Sequence, residues 1–294
     1  MTVTDVNVVK SAIFERPDDA NKGTLGSLLC VCGSYGMAGA AVMSAKGALR
    51  TGIGLAKCAL PRSIYPIVAQ TILESVYYPL SENADGRISK VNVPFLVSES
   101  CKSSATLVGC GLGVCDDTLK IVFSLIENST TPLVLDADAL NCVAKQPEIL
   151  LRKKAPIIIT PHPGEMSRLT GLATPLVNAE RERVALDFAQ KYGVVTVLKG
   201  AGTVIASPNG KVLVNPTGNS GMATGGSGDV LALGHQVFLG FTDFRRHHKL
   251  SLALGFACIG DCAGYFGNNG HVLGLAHFKE LGNARQTTHD VLGL

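Results

Sequence analysis

Short apolar runs rich in β-branched residues alternate with longer helix-like segments over most of this chain. Strands that are apolar at nearly every position are buried on both faces, and strands separated by helices run parallel. The pattern therefore predicts an α/β fold, a doubly wound and mainly parallel sheet with helices on both faces. Because no stretch resembles a linker and no internal repeat is visible, we expect residues 1–294 to form a single domain.

The individual elements follow from the same pattern. The predicted strands are residues 27–32, 55–60, 106–108, 133–135, 156–159, 194–198, 203–206 and 211–214. The predicted helices are residues 38–50, 119–127, 178–192, 230–240 and 250–265. Residues 207–210, with the sequence Ser-Pro-Asn-Gly, are typical of a hairpin turn and join the last two strands.

Composition narrows the class of protein. A chain of 294 residues with 46% hydrophobic content can bury a large core. A net charge of +3 with 17% charged residues predicts neither a nucleic-acid partner nor an acidic membrane surface. No apolar run is as long as a membrane span, and residues 1–19 lack the apolar core of a signal peptide. Nine cysteines without zinc-type spacing predict reduced thiols, no metal-ligating residue and a cytoplasmic location.

Polar and glycine-rich segments follow five of the predicted strands. These segments are residues 33–36, 109–113, 136–138, 160–165 and 199–202. Open α/β sheets bind ligands at the carboxyl ends of their strands. We therefore expect the five loops to converge and to form one long cleft.

The stretch of residues 215–229 is the strongest local signal for chemistry. It is rich in glycine and hydroxyl side chains, it ends on Asp229, and a helix-period apolar run follows. Bare glycine amides and the positive end of a helix both attract anions. The pattern predicts a phosphate-handling enzyme whose base is Asp229. The alternative interpretation is that Asp229 is an ordinary residue at a helix N-terminus, where the helix dipole favours a carboxylate.

Two further loops each have two interpretations. Residues 199–203, Lys-Gly-Ala-Gly-Thr, are either a plain turn between strands or a flexible edge for a nucleotide, contacted through the backbone. In residues 160–165 two prolines flank His162, which indicates either a held imidazole or a helix N-terminus capped by Glu165. Residues 109–113 lack the spacing of a nicotinamide Rossmann fingerprint, and no Walker A or nucleophile-elbow motif is present.

Taken together, these segments resemble those of the NAD(P)H-hydrate dehydratases, a nucleotide-dependent repair family with the ribokinase-like fold. The matching segments occur in family order and are residues 22–26, 33–41, 109–113, 136–141, 160–165, 198–200 and 218–231. The resemblance covers about residues 20–231. It implies dehydration of the S form of hydrated NADH or NADPH: ADP or ATP phosphorylates the ring hydroxyl, and phosphate is then eliminated.

The resemblance also implies roles for particular residues. Asp229 would take the hydroxyl proton, and it would line the hydrated dinucleotide site with Ala40, Gly111 and His162. The residues implied to hold the adenosine nucleotide are Lys199, Gly200, Ala201, Gly202, Thr203 and Gly228. The amides implied to form an anion hole are those of Gly226, Ser227 and Gly228. Mg²⁺ would arrive bound to the nucleotide phosphates, with Glu165 as one carboxylate able to reach it through water.

Two alternatives stay open at this point. A ribokinase-like fold could instead belong to a kinase for a vitamin-precursor alcohol of the thiazole or pyrimidine type. The segment after Phe241 departs from the family pattern, which would suit a nucleotide-binding protein without turnover. By family habit we expect a homo-oligomer, and a separate epimerase as functional partner, since the chain has no room for a fused one.

Overall fold

In a computed structural model of the chain, the residues that the structure describes are 18–215, 225–226 and 228–229. The strands are β1 Ser27–Val31, β2 Leu55–Pro61, β3 Val76–Leu80, β4 Ala105–Val108, β5 Leu133–Leu135, β6 Ile157–Ile159, β7 Val195–Leu198, β8 Thr203–Ala206 and β9 Val212–Asn215. The helices are α1 Ala38–Thr51, α2 Tyr65–Ala69, α3 Val93–Cys101, α4 Asp116–Asn128, α5 Asp138–Val143, α6 Pro163–Thr170, α7 Thr174–Ala179 and α8 Arg181–Tyr192. Short 3₁₀ turns cover Arg62–Ile64, Lys90–Asn92 and Pro147–Arg152.

The nine strands in the described part of the chain form one sheet, in the order β3-β2-β1-β4-β5-β6-β7-β8-β9. The first seven strands in the chain pair in parallel, while β8 and β9 are antiparallel to their neighbours. The strand order reverses direction beside β1, because β2 lies on one side of it and β4 on the other. A mainly parallel, doubly wound α/β sheet is therefore confirmed.

The core lies on both faces of this sheet. Along β1 the side chains of Leu29 and Val31 join one buried cluster, and those of Leu28 and Cys30 join the other. Alternation of this kind is the period-2 geometry of a strand. Helices α1 and α2 cover one face and helices α3, α4, α5, α6 and α8 cover the other. Helices on both faces were predicted, and the clusters confirm them.

Most predicted strands match the observed ones to within a residue at each end. The hairpin turn at residues 207–210 is confirmed, since β8 and β9 are antiparallel. Strand β3 was missed because it is an edge strand: three of its residues are only half-buried or exposed before Pro79, and proline is tolerated at sheet edges. The helices predicted at 230–240 and 250–265 lie outside the described residues.

The single helix predicted for residues 178–192 is wrong. Glu180, with φ −124° and ψ 40°, is not helical and separates α7 from α8. The break restarts the chain at Arg181, whose guanidinium then reaches the backbone after β7. Within the described residues, no helix combines the length and apolar character needed to cross a bilayer.

Candidate active site

The five polar loops meet at the carboxyl edge of the sheet, as predicted. The loops after β1 and β4 are joined where Gly33 N donates to Cys110 O at 2.8 Å and Ser34 Oγ donates to Gly111 O at 2.8 Å. The loops after β4 and β5 are joined where Gly113 N donates to Asp138 Oδ2 at 2.8 Å. These hydrogen bonds fix the positions of neighbouring loops relative to one another, so the loops form one continuous surface at this edge.

Ala40 and Gly111 lie against each other on this edge. Ala40 is buried in the first turn of α1, and a Cβ built on Gly111 would lie 2.7 Å from the Cβ of Ala40. Gly111 also has a φ of +63°, which L side chains rarely adopt. A side chain at Gly111 would clash with Ala40, so these two small residues let the two loops pack closely together.

A buried ion cluster joins the loops after β5, β6 and β7. Lys199 Nζ lies 2.6 Å from Asp136 Oδ1 and 3.8 Å from Glu165 Oε2. The Asp136 side chain is 1% exposed and that of Glu165 is 6% exposed. Burial alone would lower the pKa of Lys199, but the two carboxylates outweigh it and raise that pKa. Burial raises the pKa of Glu165, which one shared lysine only partly offsets.

Asp229 belongs to the same cluster. Gly228 and Asp229 have helical backbone, and ligand atoms of Asp229, Asp136 and Cys110 all lie within 4.8 Å of one another. Burial raises the pKa of Asp229, and the charge of Asp136 adds to this, while a hydrogen bond from Cys110 and the charge of Lys199 oppose it. A carboxylate with a raised pKa in a half-buried site is suited to accept a proton.

The same three side chains are a candidate metal set, and their chemistry can be tested against Mg²⁺. Mg²⁺ takes oxygen ligands, usually one or two carboxylates together with substrate phosphates. Cys110 offers a sulfur, and the hydrogen bond that its thiol donates to Cys32, together with burial, raises the pKa of that thiol. Asp136 Oδ1 is already bonded to Lys199. These three side chains therefore suit an ion that arrives bound to phosphates better than an ion held by protein ligands alone.

His162 both caps a helix and faces the ion cluster. Its Nδ1 accepts from Gly164 N at 3.0 Å and Glu165 N at 3.3 Å, while Glu165 Oε2 accepts from His162 N at 2.8 Å. The helix-capping interpretation of residues 160–165 is therefore confirmed. The ring is half-exposed, and burial together with the charges of Lys199 and Arg168 lowers its pKa, which keeps Nδ1 an acceptor.

Residues 199–202 form the turn between β7 and β8. Lys199 N donates to Pro161 O at 2.8 Å, and Thr203 Oγ1 donates to Gly200 O at 3.0 Å. A cavity of about 650 Å³ opens beside Ala201 and Gly202, with the first residues of α8 as its other wall. The turn thus connects the ion cluster at one end with an open cavity at the other.

The structure brings several of the predicted residues together. A Cβ built on Gly228 would lie 3.4 Å from Lys199 Nζ, so the end of the glycine-rich stretch adjoins the ion cluster. Gly226 packs against Met43 of α1. Ser227 lies outside the described residues. No described contact joins His162 directly to Asp229; the two are linked through Lys199 and Asp136.

Sequence reasoning gave no site role to Asp136, Cys110 or Arg181. Asp136 was visible only as a loop residue after β5, and Cys110 as one thiol among nine. Their importance comes from contacts across the sheet edge, which a linear pattern does not contain. Asp136 had one usable signal: it is the first carboxylate after a buried strand in a predicted ligand-binding edge.

Solved structures define the class of protein. The chain has a TM-score of 0.73 to a ribokinase-like superfamily protein from Enterococcus faecalis, at 22% identity over 87% of this chain and 85% of that one. It has a TM-score of 0.72 to the ADP/ATP-dependent NAD(P)H-hydrate dehydratase from Bacillus subtilis, co-crystallised with ATP and Mg²⁺. That match has 29% identity over 93% of this chain and 92% of the other. The fold is ribokinase-like.

Sequence comparison defines the family within that class. The profile described as NAD(P)H-hydrate dehydratase matches residues 28–263, so the chain belongs to the NAD(P)H-hydrate dehydratase family. The chain is 35% identical over 219 residues to the ADP-dependent (S)-NAD(P)H-hydrate dehydratase of Neisseria meningitidis serogroup B, covering 74% of this chain and 70% of that protein.

A longer relative is similar over the same part of the chain. The bifunctional NAD(P)H-hydrate repair enzyme of Thermofilum pendens is 42% identical over 216 residues, which is 74% of this chain and 41% of that protein. The chain thus spans about two fifths of the length of several curated relatives that it matches.

Proposed function

We propose that this chain catalyses the nucleotide-dependent dehydration of the S form of hydrated NADH or NADPH. Family membership supports the reaction, and the loops on which the resemblance rests meet at one edge of the sheet. The observation that carries the proposal is the position of Asp229, half-buried beside Asp136 and Cys110 at the end of the glycine-rich stretch.

Asp229 is the proposed base. It takes the proton of the ring hydroxyl as that oxygen attacks the terminal phosphorus of ADP or ATP. An oxygen–phosphorus bond forms, the bond from phosphorus to the nucleotide breaks, and the nucleotide leaves one phosphate shorter. The raised pKa of Asp229 brings its basicity closer to what removal of an alcohol proton needs.

Elimination then restores the cofactor. The ring carbon–oxygen bond breaks and its electron pair leaves with phosphate, driven by the ring nitrogen lone pair. The adjacent ring carbon then loses a proton, and the electrons of that C–H bond form the ring double bond of the neutral dihydronicotinamide. The amides of Gly226, Ser227 and Gly228 are proposed to stabilise charge on the transferred group. The ammonium of Lys199, 3.4 Å from a Cβ built on Gly228, adds positive charge at that point.

The remaining contacts divide between the two substrates. Ala40, Gly111 and His162 are proposed to line the hydrated dinucleotide site, since the first two allow a close approach of two loops at the carboxyl edge and the third presents a half-exposed ring. Residues 199–203 and Gly228 are proposed to hold ADP or ATP. The cavity beside Ala201 and Gly202 offers room next to that turn.

Mg²⁺ is proposed as the accompanying ion, carried by the nucleotide phosphates. The carboxylates of Asp136, Glu165 and Asp229 are the oxygen donors at this edge that would hold it, directly or through water. When bound, the ion supplies neutralisation of phosphate charge. A homo-oligomer, a separate epimerase partner and a single domain over residues 1–294 stay proposals. A cytoplasmic location stays one too, supported by the free thiols of the described cysteines.

The test is to mix the protein with the S hydrate of NADH, Mg²⁺ and either ADP or ATP, and to follow the absorbance of the restored dihydronicotinamide. We expect recovery that requires a nucleotide and that Asp229→Asn abolishes. If the dihydronicotinamide is not restored with either ADP or ATP, but the protein phosphorylates a thiazole or pyrimidine alcohol, the protein is a kinase instead. Nucleotide binding without any turnover would identify a binding protein.

A further inference from the structure

The turn after β7 is held by one arginine from outside it. Arg181, the first residue of α8, donates from Nη2 to Leu198 O at 2.8 Å, to Lys199 O at 3.1 Å and, more distantly, to Gly202 O at 3.5 Å. The three carbonyls come from both ends of the turn. One guanidinium group therefore bridges the two ends of the turn and orients the peptide groups whose carbonyls it contacts.

Glycine at position 200 is matched to this arrangement. A Cβ built there would lie 2.8 Å from Arg181 Nη1 and 2.9 Å from Nη2, and the φ of Gly200 is +145°. A side chain at this position would displace the guanidinium as well as strain the backbone. The glycine and the arginine are thus two parts of one arrangement.

The amide of Gly200 points away from the guanidinium group, because Lys199 O faces Arg181 and the Lys199–Gly200 peptide bond is trans. Within the part of the chain that the structure describes, the N–H groups of Gly200, Ala201 and Gly202 donate no hydrogen bond, and Gly200 and Ala201 are exposed. Successive backbone N–H groups that face solvent together form an anion-binding concavity. Carbonyls drawn inward by a cation, with amides left outward, are what a turn needs in order to bind phosphate through its backbone.

We propose that Arg181 is a positioning residue for the nucleotide, which acts by holding the amides of residues 200–202 toward the phosphates of ADP or ATP. This inference rests on the proposed function, because it concerns the same nucleotide. It adds a residue, 18 positions before the turn, that sets nucleotide affinity by acting through the backbone of the turn. Arg181 also explains why the helix predicted over residues 178–192 is broken: the break aims this side chain at the turn.

The test is calorimetric titration of ADP into the wild-type protein, Arg181→Met and Arg152→Met. Arg152 is the matched control, because its side chain is 64% exposed, pairs with Glu127 at the surface and is not among the residues that line the cavity beside Ala201 and Gly202. Hydrogen bonds from a charged donor correspond to about a tenfold to a hundredfold change in equilibrium constant. We expect the Kd for ADP to rise at least about tenfold in Arg181→Met and to stay unchanged in Arg152→Met.

A second readout separates positioning from general damage. The KM for the hydrated dinucleotide should change less than about threefold in Arg181→Met, and the ADP-induced rise in Tm should shrink. If Arg181→Met binds both substrates equally more weakly and has a lowered Tm, the inference is overturned. A wild-type Kd for ADP in this variant would overturn it as well. If Arg181→Met does not fold, Arg181→Lys, which keeps the charge and loses the forked donors, should show the same selective loss for ADP. A wild-type protein that binds neither ADP nor ATP would instead sink the proposed function itself.

Discussion

Two lysine–carboxylate clusters lie at opposite edges of the same sheet, and they are built differently. At the amino edge one carboxylate, Glu99, is shared by Lys102 at 2.9 Å, Lys57 at 3.6 Å and the hydroxyl of Tyr78 at 3.1 Å. At the carboxyl edge the ratio of carboxylates to ammonium groups is reversed, because the ammonium of Lys199 interacts with the three carboxylates of Asp136, Glu165 and Asp229.

The direction of the pKa shifts follows from that ratio. The hydrogen bond from Lys102 lowers the pKa of Glu99 in spite of partial burial. Burial raises the pKa of Glu165 and of Asp229, and one lysine does not compensate. The amino-edge cluster satisfies its carboxylate and stabilises the fold. The carboxyl-edge cluster is left with proton-accepting capacity, as expected for a site that handles protons and cations.

The largest difference between the clusters should appear in activity. We predict that Asp229→Asn lowers kcat by about 10²–10⁴-fold, the range for loss of a general base. Its free energy of unfolding should not fall, because a neutral amide replaces a carboxylate with a raised pKa. Dehydration assays and chemical denaturation measure the two quantities. A variant that keeps near wild-type turnover would show that the base lies elsewhere.

Stability should show the opposite pattern. Glu99→Gln leaves partly buried Lys57 without its carboxylate and should lower the free energy of unfolding by about 1.5–3 kcal/mol, with kcat unchanged. Glu127→Gln is the control, since its pair with Arg152 lies at the surface and should contribute about 0–1 kcal/mol. Urea denaturation of both variants makes the comparison. An equal loss in the two would mean that the Glu99 cluster is no stronger than a surface pair.

The pH dependence of kcat/KM should show that Lys199 and Asp136 shift the pKa of Asp229 in opposite directions. Lys199 lowers the pKa of Asp229 and Asp136 raises it. The base works ionised, so activity is lost as pH falls through its pKa. Lys199→Met should therefore move this acid limb to higher pH, and Asp136→Asn should move it to lower pH. Lys102→Met, at the other edge, should leave the limb in place. Shifts of the same sign in the two active-site variants would refute the charge arrangement.

The smallest effect is expected at the cap of α6. His162→Ala removes the acceptor for Gly164 N and Glu165 N and should cost about 1 kcal/mol of stability, while His162→Asn, a good cap, should restore most of it. The pKa of His162 is lowered in the folded protein. The contribution of the cap is therefore complete above the ordinary histidine pKa of about 6.5 and is lost as pH falls below it. Stability curves of the two variants against pH would check this sign.

Sequence alone located the sheet and most of the site, for a physical reason. Buried parallel strands are apolar at every position, so β5 was predicted to the residue, and its polar loop marked the carboxyl edge. The edge strand β3 and the break at Glu180 were missed, because exposure and a tertiary contact of Arg181 decide them. Asp229 was visible as the carboxylate that closes a glycine-rich stretch. Its neighbours Asp136 and Cys110 were not, since they come from other strands.

The central claim is that Asp229 and the terminal phosphate of the nucleotide act on the same hydroxyl. A crystal structure of Asp229→Asn with the S hydrate and a non-hydrolysable ATP analogue tests it most directly. We expect the terminal phosphate to lie against the amides of Gly226 and Gly228, with the ring hydroxyl within hydrogen-bond distance of residue 229. A terminal phosphate bound away from residue 229, in a complex with both ligands ordered, would contradict it.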